Sequence, residues 1–464
     1  MVFSSLPFLF LFLPVFFGCY YLVPERGKNP VLLTGSLCFY FIGTYDHPEH
    51  FILFLISILV DFFLGLRIEA SPRYKNMFLS AGILFHLICL GTFKYAGLGL
   101  VLPIGISFYT FQGISYLADV HRGRVPAEAS LLRFAVYLAM FEQLIAGPIV
   151  TYDSVREKLV RRTIRPQTAL KGLRLFILGL GFKVLLANPI GKLWTDVNAI
   201  GFESISTPLA WMAIAAFSLQ IYFDFFGYSL MAVGLGHMLG FKLPKNFCFP
   251  YLSRSMTQFW RRWHITLGSW FREYVYIPLG GNQKGNFITT RNLLFVWILT
   301  GMWHGAGCNF ILWGAALFLL IWTEKFFTGR FLERTPLAGR LYMLFFIPLT
   351  WALFAIDDPA KLGLFFSRLF PFFGRGPWSL FRYDYLKYLK LYYPFFLTGI
   401  LFSTRLPFRI LKGMFPKRPL PPSGIPQNVR RSNVLLWLLS AVILTASALC
   451  MYRGLDDPFL YFRF

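Results

Sequence analysis

The chain has 464 residues, of which 56% are hydrophobic, 19% aromatic and only 14% charged, with a mean hydropathy of +0.57. A soluble fold carries about 25% charged residues, so these values exclude a water-soluble enzyme and point to an all-α, polytopic membrane protein. The net charge of +24 does not indicate nucleic acid, because the basic residues sit in short loops between apolar runs, as cytoplasmic loops do under the positive-inside rule.

In chain order, apolar runs lie near 5–23, 31–45, 50–66, 77–96, 99–118, 130–150, 175–193, 208–240, 292–324, 340–357, 388–403 and 433–452. They are continuous and do not alternate every second residue, which excludes a β-barrel reading. They amount to about eleven spans plus one or two re-entrant or amphipathic helices. The reading is one integral membrane domain over 1–464, with a motif-bearing core at about 100–325 and C-terminal helices at about 340–452. The first run has no charged n-region and no small-residue cleavage site after it, so it is expected to stay as a membrane helix. The loop YDHPEH (45–50) has no Lys or Arg and fits the outside, whereas Arg67, Arg73 and Lys75 mark a cytoplasmic loop. Arg122 and Arg124 mark a second basic loop, and the segment 152–174, with seven Lys and Arg, a third. Only the run 130–150 separates these two, so it is expected to be re-entrant, turning at Gly147–Pro148 inside the protein, unless the charge rule fails here. The segment 404–431 carries seven basic residues, no acid and a Pro-rich centre, FPKRPLPPSGIP, and reads as an exposed loop. Six scattered cysteines without a CxxC indicate neither a disulfide framework nor a zinc site, and no metal is expected.

Ionisable groups at membrane depth are costly, so each is a functional candidate. They concentrate in FSLQIYFDFFGYS (217–229), FWRRWHITLGSWFREYVYIPLGGN (259–282) and GMWHGAGCNFILWG (301–314). The middle stretch reads as an amphipathic or re-entrant helix with Trp260, His264 and Gly268 on one face, ending in a PLGGN turn. Gly301, Gly305 and Gly307 leave bare backbone around His304, which permits a broken helix and close approach of a ligand. An imidazole, with its unperturbed pKa of about 6.5, suits general-base work on an alcohol. His264 on a separate element is placed to orient the substrate or stabilise an oxyanion. Asp224, Tyr228, Arg261, Arg262, Trp303 and Asn309 are the candidates for holding substrate or acyl donor. The bland alternatives are a packing role for His304, an acceptor role for Asp224 toward Tyr222 or Tyr228, and snorkelling for Arg261 and Arg262. His86, His121 and His237 read as structural, and His47 and His50 as loop residues. Cys308, four residues after His304, makes a Cys–His nucleophile pair conceivable.

These stretches, together with LPIGISFYTFQGISYLADVHRG (102–123) and QLIAGPI (143–149), make the chain resemble the membrane-bound O-acyltransferase (MBOAT) family, and within it the alginate O-acetyltransferase branch. The resemblance spans residues 1 to about 325, and the last 140 residues carry little that is diagnostic. It implies a helical bundle with a tunnel to a buried histidine, His304 as the catalytic histidine and His264 as the second one. It further implies acetyl transfer from a cytoplasmic donor, acetyl-CoA, across the bacterial inner membrane toward hydroxyls of an exported polysaccharide. The acceptor is reached through a periplasmic SGNH-type partner transferase, and no cofactor is bound permanently. The chain departs from the branch pattern at Glu142, Phe226, Leu230 and Cys308, and a Trp at the last of these positions in the branch argues against a cysteine nucleophile. Two other readings stay open: D-alanyl transfer to teichoic acid on the same fold, and a transporter of a small anion or glycan using His264, His304 and Asp224 as a proton relay. A structural scaffold for a secretion complex is a further, weaker one.

Overall fold

A computed structural model of the chain describes residues 2–97, 99–145, 147–372, 383–413 and 427–454, and among these there are helices, turns and no strand. Twelve helices matter for the site: α1 (Lys28–Gly43), α2 (Pro48–Ala70), α3 (Lys75–Tyr95), α4 (Ile106–His121), α5 (Leu131–Ala139), α6 (Pro166–Gly181), α7 (Thr207–Leu239), α8 (Met256–Trp260), α9 (Ile265–Phe271), α10 (Gly285–His304), α11 (Cys308–Thr323) and α12 (Pro336–Ala355). The protein is a polytopic helical membrane protein. Among the described residues, six helices are long and apolar enough to cross a bilayer: α2, α3, α7, Cys308–Arg334, α12 and Val434–Tyr452. The other expected spans fall on shorter, interrupted or more polar helices, α4 with its 16 residues among them. The Pro-rich centre of 404–431 lies outside the described residues.

The run 130–150 does not form a spanning helix. Its helix α5 has nine residues and stops at Met140, whose ψ of 113° ends the helical geometry. At 1.5 Å per residue that is about 14 Å, less than half of a hydrocarbon core of about 30 Å. Residues 134–145 are buried throughout, which fits the re-entrant expectation.

Helices α6 and α7 pack backbone to backbone. A Cβ on Gly227 would lie 2.6 Å from the Gly179 carbonyl, and one on Gly234 would lie 2.6 Å from the Gly172 carbonyl. Small residues at both levels allow this approach, as they do in membrane bundles generally. The chain leaves α6 through a π-helical turn, Phe182–Ala187, and the close packing sets Lys183 of that turn directly against α7.

The stretch 259–282 departs from the one amphipathic or re-entrant helix expected. It breaks into α8, a turn, α9 and a π-helical turn Arg272–Tyr276. Glu324, buried, caps α8 by accepting from the Thr257 amide (2.9 Å) and hydroxyl (2.7 Å). Trp270 donates its indole N–H to the Phe111 carbonyl at 2.9 Å, and the Tyr274 hydroxyl donates to Asp119 at 2.8 Å, so the piece is strapped to α4. The PLGGN end is a turn, with Gly280 and Gly281 at φ 104° and 56°.

Candidate active site

His264 is the residue at which the α8–α9 piece breaks. Its φ of 41° and ψ of 54° are left-handed, one of two such non-glycine residues among those described. Such a conformation costs on the order of 1–3 kcal/mol and persists only where neighbours over-determine it. Here the flanking backbone is bound on both sides: the Ile265 amide donates to the Asn246 carbonyl and the Cys248 amide to the Arg262 carbonyl, each at 2.9 Å. The Thr266 hydroxyl donates to the Asn246 side chain at 2.7 Å. The turn holds the buried imidazole edge-on to Phe225 of α7, ring centroids 4.7 Å apart.

His304 is the last residue of α10 and is buried. Helices α10 and α11 form a tight pair, in which a Cβ on Gly314 would lie 2.5 Å from the Trp297 carbonyl and one on Gly301 would strike the Phe310 carbonyl. Gly305 abuts the Phe310 ring and Gly307 the Asn309 side chain. The bare backbone around His304 therefore serves helix packing, which corrects the expectation that it admits a ligand. The end of α10 is capped from α3: the Lys94 ammonium donates to the Trp303 carbonyl and the Tyr95 hydroxyl to the Met302 carbonyl. A cation at a helix C-terminus is the favoured polarity. The imidazole meets Trp313 and Phe354, each with ring centroids at 5.1 Å.

The two histidines open into one small cavity of about 30 Å³, walled by Trp260, Trp263, Trp313, Trp351 and Phe354, with Asp224 on its rim. That is room for one or two waters among indole and phenyl faces. On one side His264, Trp260 and Trp263 also line a cavity of about 330 Å³. That cavity shares Thr257, Arg261, Arg272 and Tyr276 with a vestibule of about 1080 Å³, whose wall carries six cationic side chains against Glu324 and Glu333. On the other side His304 and Trp303 line a pocket of about 220 Å³ together with residues 102–108. The vestibule adjoins the basic loop, since Arg124 pairs with Glu273 at 2.6 Å. The pocket beyond His304 adjoins the loop 45–50, since the Tyr40 hydroxyl of α1 donates to the Ile104 carbonyl at 3.0 Å. Neighbouring spaces share wall residues, and both histidines line the smallest of the four.

Asp224 forms an ion pair with Lys183 at 2.6 Å, the two residues 2% and 0% exposed. Lys183 also donates to the Asn188 side chain at 2.9 Å. Lys183 supplies the charge that balances the carboxylate. Tyr228 stacks on Phe3 at 4.5 Å and lies off the cavity wall. Arg261 lines both the vestibule and the inner cavity, whereas Arg262 lines neither. Trp303 sits between Phe111, stacked at 5.4 Å, and the His264 ring at 6.3 Å. Asn309 donates to the Phe354 carbonyl at 3.1 Å and so holds the cavity wall. Cys308 is exposed and follows a helix break, so it does not share a helical face with His304. Leu230 packs toward Gly179 and Phe226 stacks on Tyr222 at 5.3 Å, both away from the histidines. Glu142 is buried with both carboxylate oxygens lacking a hydrogen-bond partner.

Four residues escaped the sequence reading. Lys183 stands in the apolar run 175–193, and an ionisable residue at that depth was signal enough. Lys94 ends the run 77–96 and reads like an interfacial lysine. Trp351 and Phe354 of α12 belong to the segment that carried no motif, yet they close the cavity.

A family model described as MBOAT, membrane-bound O-acyltransferase family, matches residues 124–343. The protein named "Probable alginate O-acetylase AlgI" from Pseudomonas aeruginosa is 38% identical over 405 residues, covering 82% of this chain and 76% of that one. Its namesake from Pseudomonas putida is 34% identical over 507 aligned positions, covering all of both chains. A "Peptidoglycan O-acetyltransferase" from Helicobacter pylori is 35% identical over 364 residues, 68% of each chain.

Proposed function

The chain belongs to the membrane-bound O-acyltransferase family, and from that premise we propose that it carries acetyl groups across the bacterial inner membrane toward hydroxyls of an exported polysaccharide. It is a membrane-bound O-acyltransferase, and its relatives are named for acyl transfer to polysaccharides. The donor in this reading is acetyl-CoA, entering from the cytoplasm. The basic vestibule supports it, because a multiply phosphorylated carrier is drawn to clustered Lys and Arg, and Arg261 stands where vestibule and inner cavity meet. The acetyl thioester reaches the constriction, where indole and phenyl walls keep water out.

His304 acts as the general base. It takes the proton of the acceptor hydroxyl as that oxygen bonds to the acetyl carbonyl carbon. The C–S bond breaks, and the leaving thiolate takes up the proton that His304 accepted, which returns the imidazole to its neutral form. His264 donates its N–H to the carbonyl oxygen as negative charge develops there. Asp224, held by Lys183, keeps a fixed dipole at the rim of the same cavity. The hydroxyl arrives by the outer pocket, and a periplasmic SGNH-type transferase passes the acetyl group on to sugar.

The observation that carries this reading is the meeting of His264 and His304 at one small aromatic-walled cavity, with the basic vestibule toward His264 and a further pocket beside His304. The test is mild-base release of ester-linked groups from the surface polysaccharide of a deletion strain. The strain is complemented with wild type or with His304→Ala at matched membrane expression. Acetate is expected to vanish on deletion and return with wild type only. Release of D-alanine in that pattern would replace acetyl by D-alanyl transfer to teichoic acid. Full restoration by His304→Ala would remove this histidine from the chemistry.

A further inference from the structure

The loop between α1 and α2 carries a side-chain cluster that acyl transfer does not use. His47 stands at the N-cap position of α2, and Glu49 and His50 lie in its first turn. The His47 Nδ1 is 3.0 Å from Glu49 Oε1, and the His50 Nε2 is 4.0 Å from the same oxygen. The two imidazoles stack with centroids 5.0 Å apart. One nitrogen or oxygen atom from each of the three residues lies within 4.8 Å of the other two.

A surface His–Glu hydrogen bond would explain His47 and Glu49. It does not explain His50, which is 3% exposed and too far from Glu49 for a hydrogen bond. Its ring is held instead edge-on to Phe93, with ring centroids 5.6 Å apart. Two imidazoles and a carboxylate form the three-ligand set of zinc sites that keep a fourth position open. Bonds of about 2.0–2.1 Å in a tetrahedron put ligand atoms about 3.4 Å apart. The cluster therefore has to draw in by about an ångström, and the exposed side chains of His47 and Glu49 are free to do so. The positive end of α2 opposes a cation there, and the Glu49 carboxylate offsets it.

We infer that His47, Glu49 and His50 bind a zinc-class divalent cation on the outer face, beside the segment that walls the pocket leading to His304. The sequence reading left these histidines as loop residues and expected no metal. His50 instead sits inside the first turn of a membrane helix and faces the other two ligands.

The test uses the full chain in detergent without a polyhistidine tag. Zinc is titrated against a chromophoric chelator, and melting is followed with and without zinc. Wild type is expected to bind one zinc saturably and to melt at higher temperature with it. His47→Ala and Glu49→Gln, both surface changes, should each weaken binding by more than about 10-fold and lose the zinc-dependent shift. The control His264→Asn should bind as wild type does. No saturable binding by wild type would overturn the inference. So would wild-type affinity in either surface variant eluting as a single species, or loss of binding in His264→Asn.

Discussion

The pair Lys183–Asp224 gives the sharpest handle on the site, because both residues are fully enclosed and one of them lines the histidine cavity. Removing either partner leaves a single charge in a low-dielectric interior, which destabilises by about 3–5 kcal/mol. Replacing both with apolar residues of similar size is nearly neutral or stabilising. Lys183→Met and Asp224→Leu are each expected to lower the temperature at which the detergent-solubilised protein stops eluting as a single species. The double variant should recover most of that loss, an interaction of several kcal/mol beyond additivity. Activity separates structure from chemistry. Asp224 lines the cavity that both histidines share, and mispositioned groups at a reacting centre lower rates by about 10²-fold. The double variant should therefore fold like wild type yet acetylate about 10²-fold more slowly. Stable single variants would refute the buried pair, and a fully active double variant would refute any role for Asp224 beyond neutralising Lys183.

Four further outcomes follow from the geometry. His264→Asn should fold as wild type, since Asn tolerates the left-handed conformation, and should lose about 10²–10⁴-fold in acetate transfer; equal activity would leave His264 a structural hinge. Gly179→Leu, whose side chain meets the Gly227 carbonyl of α7, should abolish the monodisperse species in size exclusion. Trp313→Ala, at a fully enclosed position, should destabilise by about 3–5 kcal/mol and raise donor hydrolysis relative to transfer, measured as free acetate against ester. Asn309→Leu should lower the melting temperature while leaving the donor KM unchanged, because its amide binds the Phe354 carbonyl and not the donor.

Much of the architecture was legible in the chain. Continuous apolar runs gave a polytopic helical protein, and His264 and His304, forty positions apart, do meet at one cavity. Less legible was anything set by long-range partners. The i, i+4 spacing of Trp260, His264 and Gly268 implied one helix, but Asn246 and the Cys248 amide hold His264 in a left-handed turn that no local pattern announces. Glycines around His304 suggested room for a ligand, and Phe310 takes that room. Asp224 needed a cation from another helix, and which helix depends on the close α6–α7 packing. Trp351 and Phe354 sit on an apolar helix whose composition resembles its neighbours, so only the fold shows that they wall the site.

The most direct test of the account is transfer across the membrane in inside-out vesicles, with labelled acetyl-CoA outside and a nucleophilic acceptor sealed within. Wild-type protein should deliver label to the enclosed acceptor, and His304→Ala, inserted at equal amount, should deliver none above vesicles lacking the protein. Equal labelling by His304→Ala would contradict the claim that the acyl group passes a base at the constriction.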